Sequence, residues 1–516
     1  MNEQTERLLS GNEAIAHGAY DAGLQVAAAY PGTPSTEILE NIALFKEIDA
    51  QWSVNEKVAY EVAYGASMAG VRSLYASKHV GLNVAMDPFM TSVYMGVNAG
   101  FVAVVCDDPG LHSSQNEQDT RWVALYGKAP IIEPSGSAEA YSFIQEAFRI
   151  SEQFDTPVLF RMTTRTAHSK ENVRIGKRTI PVKKALTKDI GKYVMIPGSA
   201  YKRHIVLEKR LIELRKFSEK TTLNRIEKGK NKARGFITSG VTYQYIKESF
   251  PDAPILKLGF SYPLCEKKVN AFAKSVKEVV LIEEGDPFIE IQLKVTGLRF
   301  KTRHPSYHIG ELRPEYMARI VKGLPKNDVP IPVRKPALCP GCPHHFVFHT
   351  LQKFPEVFVS GDIGCYTLGA LAPYGALHSC ICMGGGFTVA EGVRRAKPGV
   401  PVVGIVGDST FIHSGITGLI NAVYNRIKGV FFILDNSITA MTGSQENPGS
   451  GYTLQNEPTI KLDLAKLCLA CGAETVDIIN PYQHHELEEL IRRRLSEEKL
   501  TVIIAQYPCK LIPARR

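Results

Sequence analysis

No apolar run in the sequence approaches the roughly 20 residues that a membrane-spanning helix needs, so no span is expected. The opening stretch, "MNEQTERLLSGNEAIAHG", carries early acids and no apolar core, so no secretory signal is expected and the reading is a cytoplasmic protein. Short-period repeats and low-complexity tracts are missing, which argues against a solenoid or a disordered chain. Ten cysteines in 516 residues are too few for a disulfide scaffold, and cytoplasmic thiols stay reduced, which leaves some of them for a metal or a cluster. What is present is ordinary for a globular protein: 44% hydrophobic and 22% charged residues. The length exceeds what one core can hold and calls for about three domains.

Charge is unevenly spread. The net charge is +9, yet Lys170 to Arg234 alone carries 20 Lys/Arg against 6 Asp/Glu. That block lacks the interleaved aromatics that single-stranded nucleic acids stack on, so no nucleic-acid partner is expected. A solvated connector is the plain reading; an acidic partner or a cofactor's phosphates are the others.

The stretch from Gly407 to Asn436, "GDSTFIHSGITGLINAVYNRIKGVFFILDN", closes one apolar run with a Gly-Asp pair and the next with an Asn. The 26 residues between Ser409 and Asn436 suffice for one crossover helix in a strand–helix–strand unit. Asp408 and Asn436 then fall at the carboxyl ends of two parallel strands, where open α/β sheets bind ligands. A carboxylate and an amide oxygen in one crevice suit Mg²⁺, which in turn grips a diphosphate; the backbone carbonyl of Ile438 offers a third oxygen. The loop "CMGGGF" (382–387) lets backbone amides approach a phosphate.

Residues 1 to about 170 alternate apolar runs with helical stretches, as a parallel-sheet domain does. "LQVAAAY" (24–30), "GFVAVVC" (100–106) and "PVLFRMTT" (157–164) read as buried strands, and "EKVAYEVAYGASMAG" (56–70) as a helix with a small-residue face. The turn "YPGTPST" (30–36) offers hydroxyls at Thr33, Ser35 and Thr36 at a helix start. A helix is expected over 204–220, a second α/β unit from 233 with a strand at 277–285, and a proline-marked boundary at "LPKNDVPIPVRKPALCP". The last segment has expected strands at 356–360, 400–406, 429–435 and 501–507. Glu56 stands in the first turn of a buried-looking helix, where it is either a helix-start charge or an acid for catalysis.

Together, "YPGTPSTE…VNEKVAYEVAYGASMAG…KHVGLNVAMDP…DDPGLHSSQNEQDTR", "FITSGVTYQY", "LKLGFSYPL", "EEGDPFIE", "CPGCPHH", "GDIGCYTLG" and "GDSTFIHSG…ILDNSITAMTGSQENPGSG" resemble the 2-oxoacid:ferredoxin oxidoreductases. Within them the similarity is to the large, thiamine diphosphate-binding α subunit of indolepyruvate:ferredoxin oxidoreductase, over nearly the whole chain. The resemblance implies an α/β protein of three domains: two thiamin-diphosphate-binding-fold parallel sheets and a transketolase-C-like α/β domain. Its segments are a pyrimidine-binding domain at 1–185, a basic connector at 186–232, the transketolase-C-like domain at 233–330 and the diphosphate-binding domain at 336–511.

By the same resemblance, the activity is oxidative decarboxylation of an aryl 2-oxoacid such as indolepyruvate to an acyl-CoA. Electrons pass one at a time to ferredoxin, and a family β subunit is the partner, in a heterodimer or a dimer of heterodimers. Glu56 activates the thiamine, Asp408 and Asn436 hold Mg²⁺, and Gly32, Gly384, Gly385, Gly407, Ser409 and Thr439 contact the cofactor. Thr33 meets the substrate carboxylate. Related pyruvate enzymes bring an arginine there, after the strand matching "GFVAVVC"; here Asp107 and Asp108 follow, so Lys78 or His79 is expected to supply the positive charge.

Cys339 and Cys342 form a CxxC, Cys365 lies in "GDIGC" and Cys509 in "QYPCKL". In β subunits and fused relatives that arrangement holds a [4Fe–4S] cluster; zinc or plain core thiols are the alternatives. The CxxC of Cys468 and Cys471 sits inside a helical pattern and reads as packing. Two departures stand out. No CxxCxxCxxxC run of the family's ferredoxin-like domain occurs, and His378 and Cys380 replace the usual Asp and Thr. A non-oxidative thiamine-dependent decarboxylase or ligase and a non-catalytic thiamine-binding subunit are the rival functions.

Overall fold

The computed structural model of the protein describes residues 5–328 and 336–512. The expected proline-rich boundary falls partly outside those residues. The chain forms two compact units, Met1–Val329 and Pro330–Arg516.

The first unit is built on a seven-stranded sheet. Its spatial order is Phe260–Tyr262, Ile131–Ile132, Val158–Thr163, Phe101–Asp107, Ser73–Lys78, Val26–Ala29 and Asp49–Trp52. All neighbours pair parallel except Phe260–Tyr262, which runs antiparallel to Ile131–Ile132. Phe101–Asp107 is buried at every position, which explains why its sequence is a continuous apolar run rather than an alternation. The helix Glu56–Met68 starts where the Asn55 side chain accepts the Val58 N–H at 2.9 Å, and it buries Ala59, Tyr60, Ala63 and Tyr64.

A four-stranded sheet follows, ordered Val279–Ile282, Gly235–Ser239, Ile255–Leu258 and Asn224–Glu227, the last antiparallel. After Leu258 the chain crosses over and Phe260–Tyr262 completes the edge of the seven-stranded sheet. Buried ion pairs reinforce the join. Arg121 binds Asp119 through Nε (2.9 Å), Glu283 through Nη1 (2.7 Å) and the Glu284 carbonyl through Nη2 (2.8 Å).

The basic stretch is more than a solvated connector. Its helix runs over Pro197–Lys220, a turn or two earlier than expected because Pro197 suits the first turn. Arg210 Nη1 donates to the Val93 carbonyl (2.6 Å), Arg203 Nε to Tyr94 (2.8 Å) and Lys192 Nζ to Val97 (2.7 Å). These are the orphan carbonyls at and just past the end of the helix Met86–Met95, where cations are favoured by the helix dipole.

The second unit carries an all-parallel five-stranded sheet, ordered Phe358–Ser360, Val402–Gly407, Gly429–Asp435, Leu500–Gln506 and Thr475–Ile479. The strands feed two cores in strict alternation. Val403, Ile405, Val430 and Phe432 pack with the helices His344–Leu351 and His484–Ser496. Val402, Val406, Phe431 and Ile433 pack with Gly385–Ala396 and Leu464–Ala470 on the other face. Cys468 is one of the buried residues of that second core, as its helical apolar setting suggests.

Candidate active site

Val402–Gly407 and Gly429–Asp435 are adjacent parallel strands, with Gly407 opposite Leu434. Asp408 and Asn436 therefore emerge side by side at the carboxyl edge of the sheet. The crossover between them is not one regular helix. Asp408–Thr410 is a short helical turn, Phe411–Gly415 is a π-turn, and Ile416–Tyr424 completes the helix. Such wide turns recur at functional sites.

Asp408 is buried; its Oδ1 accepts the Ser409 N–H at 2.7 Å, while its Oδ2 is buried with no hydrogen-bond partner. Burial first, and then the Asp435 carboxylate beside it, hold the Asp408 carboxyl well above the ordinary carboxylate range. Asn436 Oδ1 receives only a long contact of 3.3 Å from the Ile438 N–H, so the amide oxygen keeps accepting capacity. An orphaned buried carboxylate oxygen beside an under-used amide oxygen is a donor set that a hard divalent cation would complete. The residues fit Mg²⁺.

The ligand turn is braced. Asp435 Oδ1 accepts the Ser437 N–H (2.9 Å), holding Ser437 at φ +62°, and Gln506 Nε2 donates to Asp435 Oδ2 (2.6 Å). Thr439 Oγ1 donates to Ser409 Oγ at 3.0 Å and so ties the two strand ends together. Across from them runs the glycine loop. Gly384 has φ +83°, and a Cβ there would lie 2.2 Å from Ser414 Oγ. Gly385 begins the helix Gly385–Ala396. Asp362, from the end of Phe358–Ser360, accepts the Gly384 N–H at 2.7 Å, and burial pushes its carboxyl up to about 7. Asp362 and Asp435 escaped the sequence reading, although "GDIGC" repeats at another strand end the Gly-Asp signal that marked Asp408.

Cys339, Cys342, Cys365 and Cys509 line one cavity of about 100 Å³, with Asn436, His344 and Lys510 also on its wall. A single water needs only about 10–15 Å³ on the same measure, so the space exceeds one water. The Cys342 and Cys365 thiols are pushed up to about 11, by burial and then by the neighbouring thiols. A metal group at this wall would have to draw the buried Cys342 and Cys365 thiols into the thiolate form. Among the described residues no set of three or more His, Cys, Asp or Glu is arranged to hold a metal ion. Four cysteine sulfurs on one cavity wall are the ligand type that a [4Fe–4S] cluster takes. The Cys509 N–H donates to the Asn436 carbonyl at 3.0 Å, so one hydrogen bond links the cavity to the metal-ligand turn.

In the first unit the remaining candidates also converge. Gly32 lies against the Lys78 stem, since a Cβ there would be 3.2 Å from Lys78 Cδ. Glu56, buried, rests on Gly81, whose Cβ would meet Glu56 Oε1 at 2.7 Å. Lys78 Nζ donates to the Ser113 carbonyl at 2.8 Å, and burial lowers its pKa to about 8 despite the Asp108 and Glu56 carboxylates nearby. His79 Nε2 contacts the Asn116 carbonyl at 3.1 Å, and its Nδ1 is buried without a partner. Thr33 precedes Pro34 through a cis bond, and its carbonyl accepts Ser113 Oγ at 3.1 Å. The two aspartates after the central strand are committed elsewhere. Asp107 pairs with Arg161 (2.6 Å), and Asp108 takes bonds from Ser113 N, Ser114 Oγ and Thr164 Oγ1.

Comparison with known proteins adds the following. Residues 17–224 match the family described as pyruvate flavodoxin/ferredoxin oxidoreductase, thiamine diP-binding, and residues 362–505 match the thiamine pyrophosphate enzyme C-terminal TPP-binding domain. The chain is 37% identical to an indolepyruvate oxidoreductase subunit IorA of Archaeoglobus fulgidus, covering 98% of this chain and 87% of that one. It is 38% identical to the IorA subunit of Methanothermobacter thermautotrophicus, covering 99% and 88%. A solved 2-oxoglutarate:ferredoxin oxidoreductase from Magnetococcus marinus, with 2-oxoglutarate, coenzyme A and succinyl-CoA bound, superposes with a TM-score of 0.53 at 17% identity, covering 62% of this chain and 66% of that chain. That likeness is one of fold.

Proposed function

The chain belongs to the indolepyruvate oxidoreductase IorA family of the 2-oxoacid:ferredoxin oxidoreductases, and from that premise we propose that it is the thiamine diphosphate-binding subunit of an enzyme oxidising an aryl 2-oxoacid such as indolepyruvate to its acyl-CoA. Thiamine diphosphate, held here, would supply the electron sink that decarboxylation of a 2-oxoacid needs, and a [4Fe–4S] cluster on the four cysteines would supply one-electron transfer toward ferredoxin.

The residues divide the work. Asp408, Asn436 and the Ile438 carbonyl would hold Mg²⁺; Gly384, Gly385, Gly407, Ser409 and Thr439 would receive the diphosphate. Cys339, Cys342, Cys365 and Cys509 would hold the cluster. Glu56 would hydrogen-bond the thiamine's ring nitrogen, and Gly32 would let the ring approach. Thr33 and the Lys78 ammonium would hold the substrate carboxylate, with His79 beside them. The proposed segments are 1–185, 186–232, 233–330 and 336–511. A β subunit, ferredoxin and CoA are the proposed partners, and the cytoplasm the proposed location.

The orphaned Asp408 Oδ2 carries this reading: a buried, unpartnered carboxylate oxygen at a strand end lacks a structural reason and has a chemical one. The test is anaerobic purification of the chain with its β subunit, iron and sulfide analysis, and reduction of methyl viologen by indolepyruvate with and without CoA. Iron, sulfide and CoA-dependent dye reduction are expected. Absent iron together with CoA-independent aldehyde formation would instead make the protein a non-oxidative decarboxylase.

A further inference from the structure

A third of the large apolar side chains exposed among the described residues fall between 180 and 212. Val182 is 91% exposed, Tyr201 73%, Ile190 71% and Leu186 61%. From 176 to 189 the backbone has no regular secondary structure, yet it is pinned. Thr179 N–H donates to the Asp21 carbonyl (2.7 Å), Lys184 N–H to Gly70 (3.1 Å), and Asn98 Nδ2 to the Ala185 carbonyl (2.9 Å). The strap therefore presents its apolar side chains outward from a fixed path.

The helix that follows has two apolar faces. Leu207, Leu211 and Leu214 are buried inward, while Tyr201, Ile205 and Ile212 form a stripe on the opposite side. An amphipathic surface helix needs only the first face. The strap and stripe are interleaved with cations: Lys183, Lys188, Lys202 and Lys209 have no carboxylate partner among the described residues.

We propose that this strap and helix stripe form the docking surface for a companion polypeptide that presents an apolar patch rimmed with carboxylates. Resting on the reading of the chain as one subunit of an oxidoreductase, the companion is its β subunit. Apolar surface of this density marks a stable protein interface, and the unpaired lysines ask for acidic complements. A second copy of the chain is disfavoured because it would bring lysines against lysines. A membrane is disfavoured by Glu208, which stands within the stripe and pairs with Lys128 and His204, and by the strap's irregular backbone, which a protein can hydrogen-bond and lipid cannot.

The experiment measures the dissociation constant of the purified chain for its purified β subunit, by calorimetry at 50 and 300 mM NaCl. The double variant Val182→Asp/Leu186→Asp sets carboxylates against carboxylates and should weaken association at least roughly a hundredfold, whereas Leu186→Lys should cost less than about tenfold. Raising the salt should weaken the wild type and not the double variant. Both positions are exposed, so the thermal unfolding midpoint of the variants should match the wild type. Unchanged affinity of the double variant, a homodimer dissolved by it, or wild-type binding to phosphatidylglycerol vesicles in place of the β subunit would each overturn the proposal. The readout is association, so a strap-dependent complex that fails to oxidise indolepyruvate would remove the proposed function and leave the docking surface standing.

Discussion

Asp408→Asn separates a metal-binding carboxylate from a structural one, and the two roles predict opposite results. Asp408 is buried, no group of the chain meets its Oδ2, and burial with the neighbouring Asp435 raises its pKa. An acid whose folded pKa lies above its unfolded value of about 3.9 binds more protons when folded. The metal-free protein should therefore lose stability as pH climbs above about 4, and the variant, having no proton to lose, should lack that slope. A buried polar atom left unsatisfied costs about 1–3 kcal/mol, so at pH 7 the metal-free variant should equal or exceed the wild type by up to about that amount. Ligand reverses the order. Mg²⁺ and thiamine diphosphate at 100 times their Kd stabilise the wild type by about 2.7 kcal/mol. For a unit of 150–250 residues that raises Tm by about 5–11 °C, while the variant should move by less than about 2 °C. Differential scanning calorimetry with and without both ligands reads both differences. A variant stabilised by the ligands as much as the wild type, or one that is more than about 2 kcal/mol weaker without them, would refute the assignment.

Other outcomes are equally concrete. Glu56→Gln should lower kcat by about 10² or more while calorimetry finds thiamine diphosphate bound within about threefold of the wild-type affinity. Lys78 has a pKa lowered to about 8, so its grip on a substrate carboxylate should fade above that pH and KM should rise there. Lys78→Met should raise KM at least about tenfold, remove that rise, and change kcat less. At Gly386 an added Cβ would fall 2.1 Å from the Ile405 carbonyl oxygen, so Gly386→Ala should cost about 1–3 kcal/mol in denaturant unfolding as the loop and strand are forced apart.

What was legible in the sequence followed from local pattern. Strands buried on both faces have to be apolar throughout, so "GVFFILD" and "GFVAVVC" revealed themselves, and their polar terminators marked Asp408 and Asn436. Partner choice is not a local property. Nothing within Phe260–Tyr262 says that it leaves the sheet containing Ile255–Leu258 to pair with Ile131–Ile132, because three residues match either edge equally well. Counting charge likewise records donors and ignores acceptors. Lys192, Arg203 and Arg210 add three to the basic block, yet they are occupied by the carbonyls ending the helix Met86–Met95 and by Asp155.

The same distinction explains Asp362 and Asp435, which a motif reading passes over because neither is expected to touch the metal. Their work is done on the backbone: one fixes the glycine loop through the Gly384 N–H, the other holds Ser437 in a left-handed turn that aims the next residue, Ile438. The one carboxylate that would hold the cation thus stands among two others that hold only the chain. A donor set for Mg²⁺ has to be nearly octahedral to bind well, and loop backbones do not keep that geometry unaided. The strand ends supply the direction of Asp408 and Asn436; the two silent aspartates supply the rigidity that makes that direction useful.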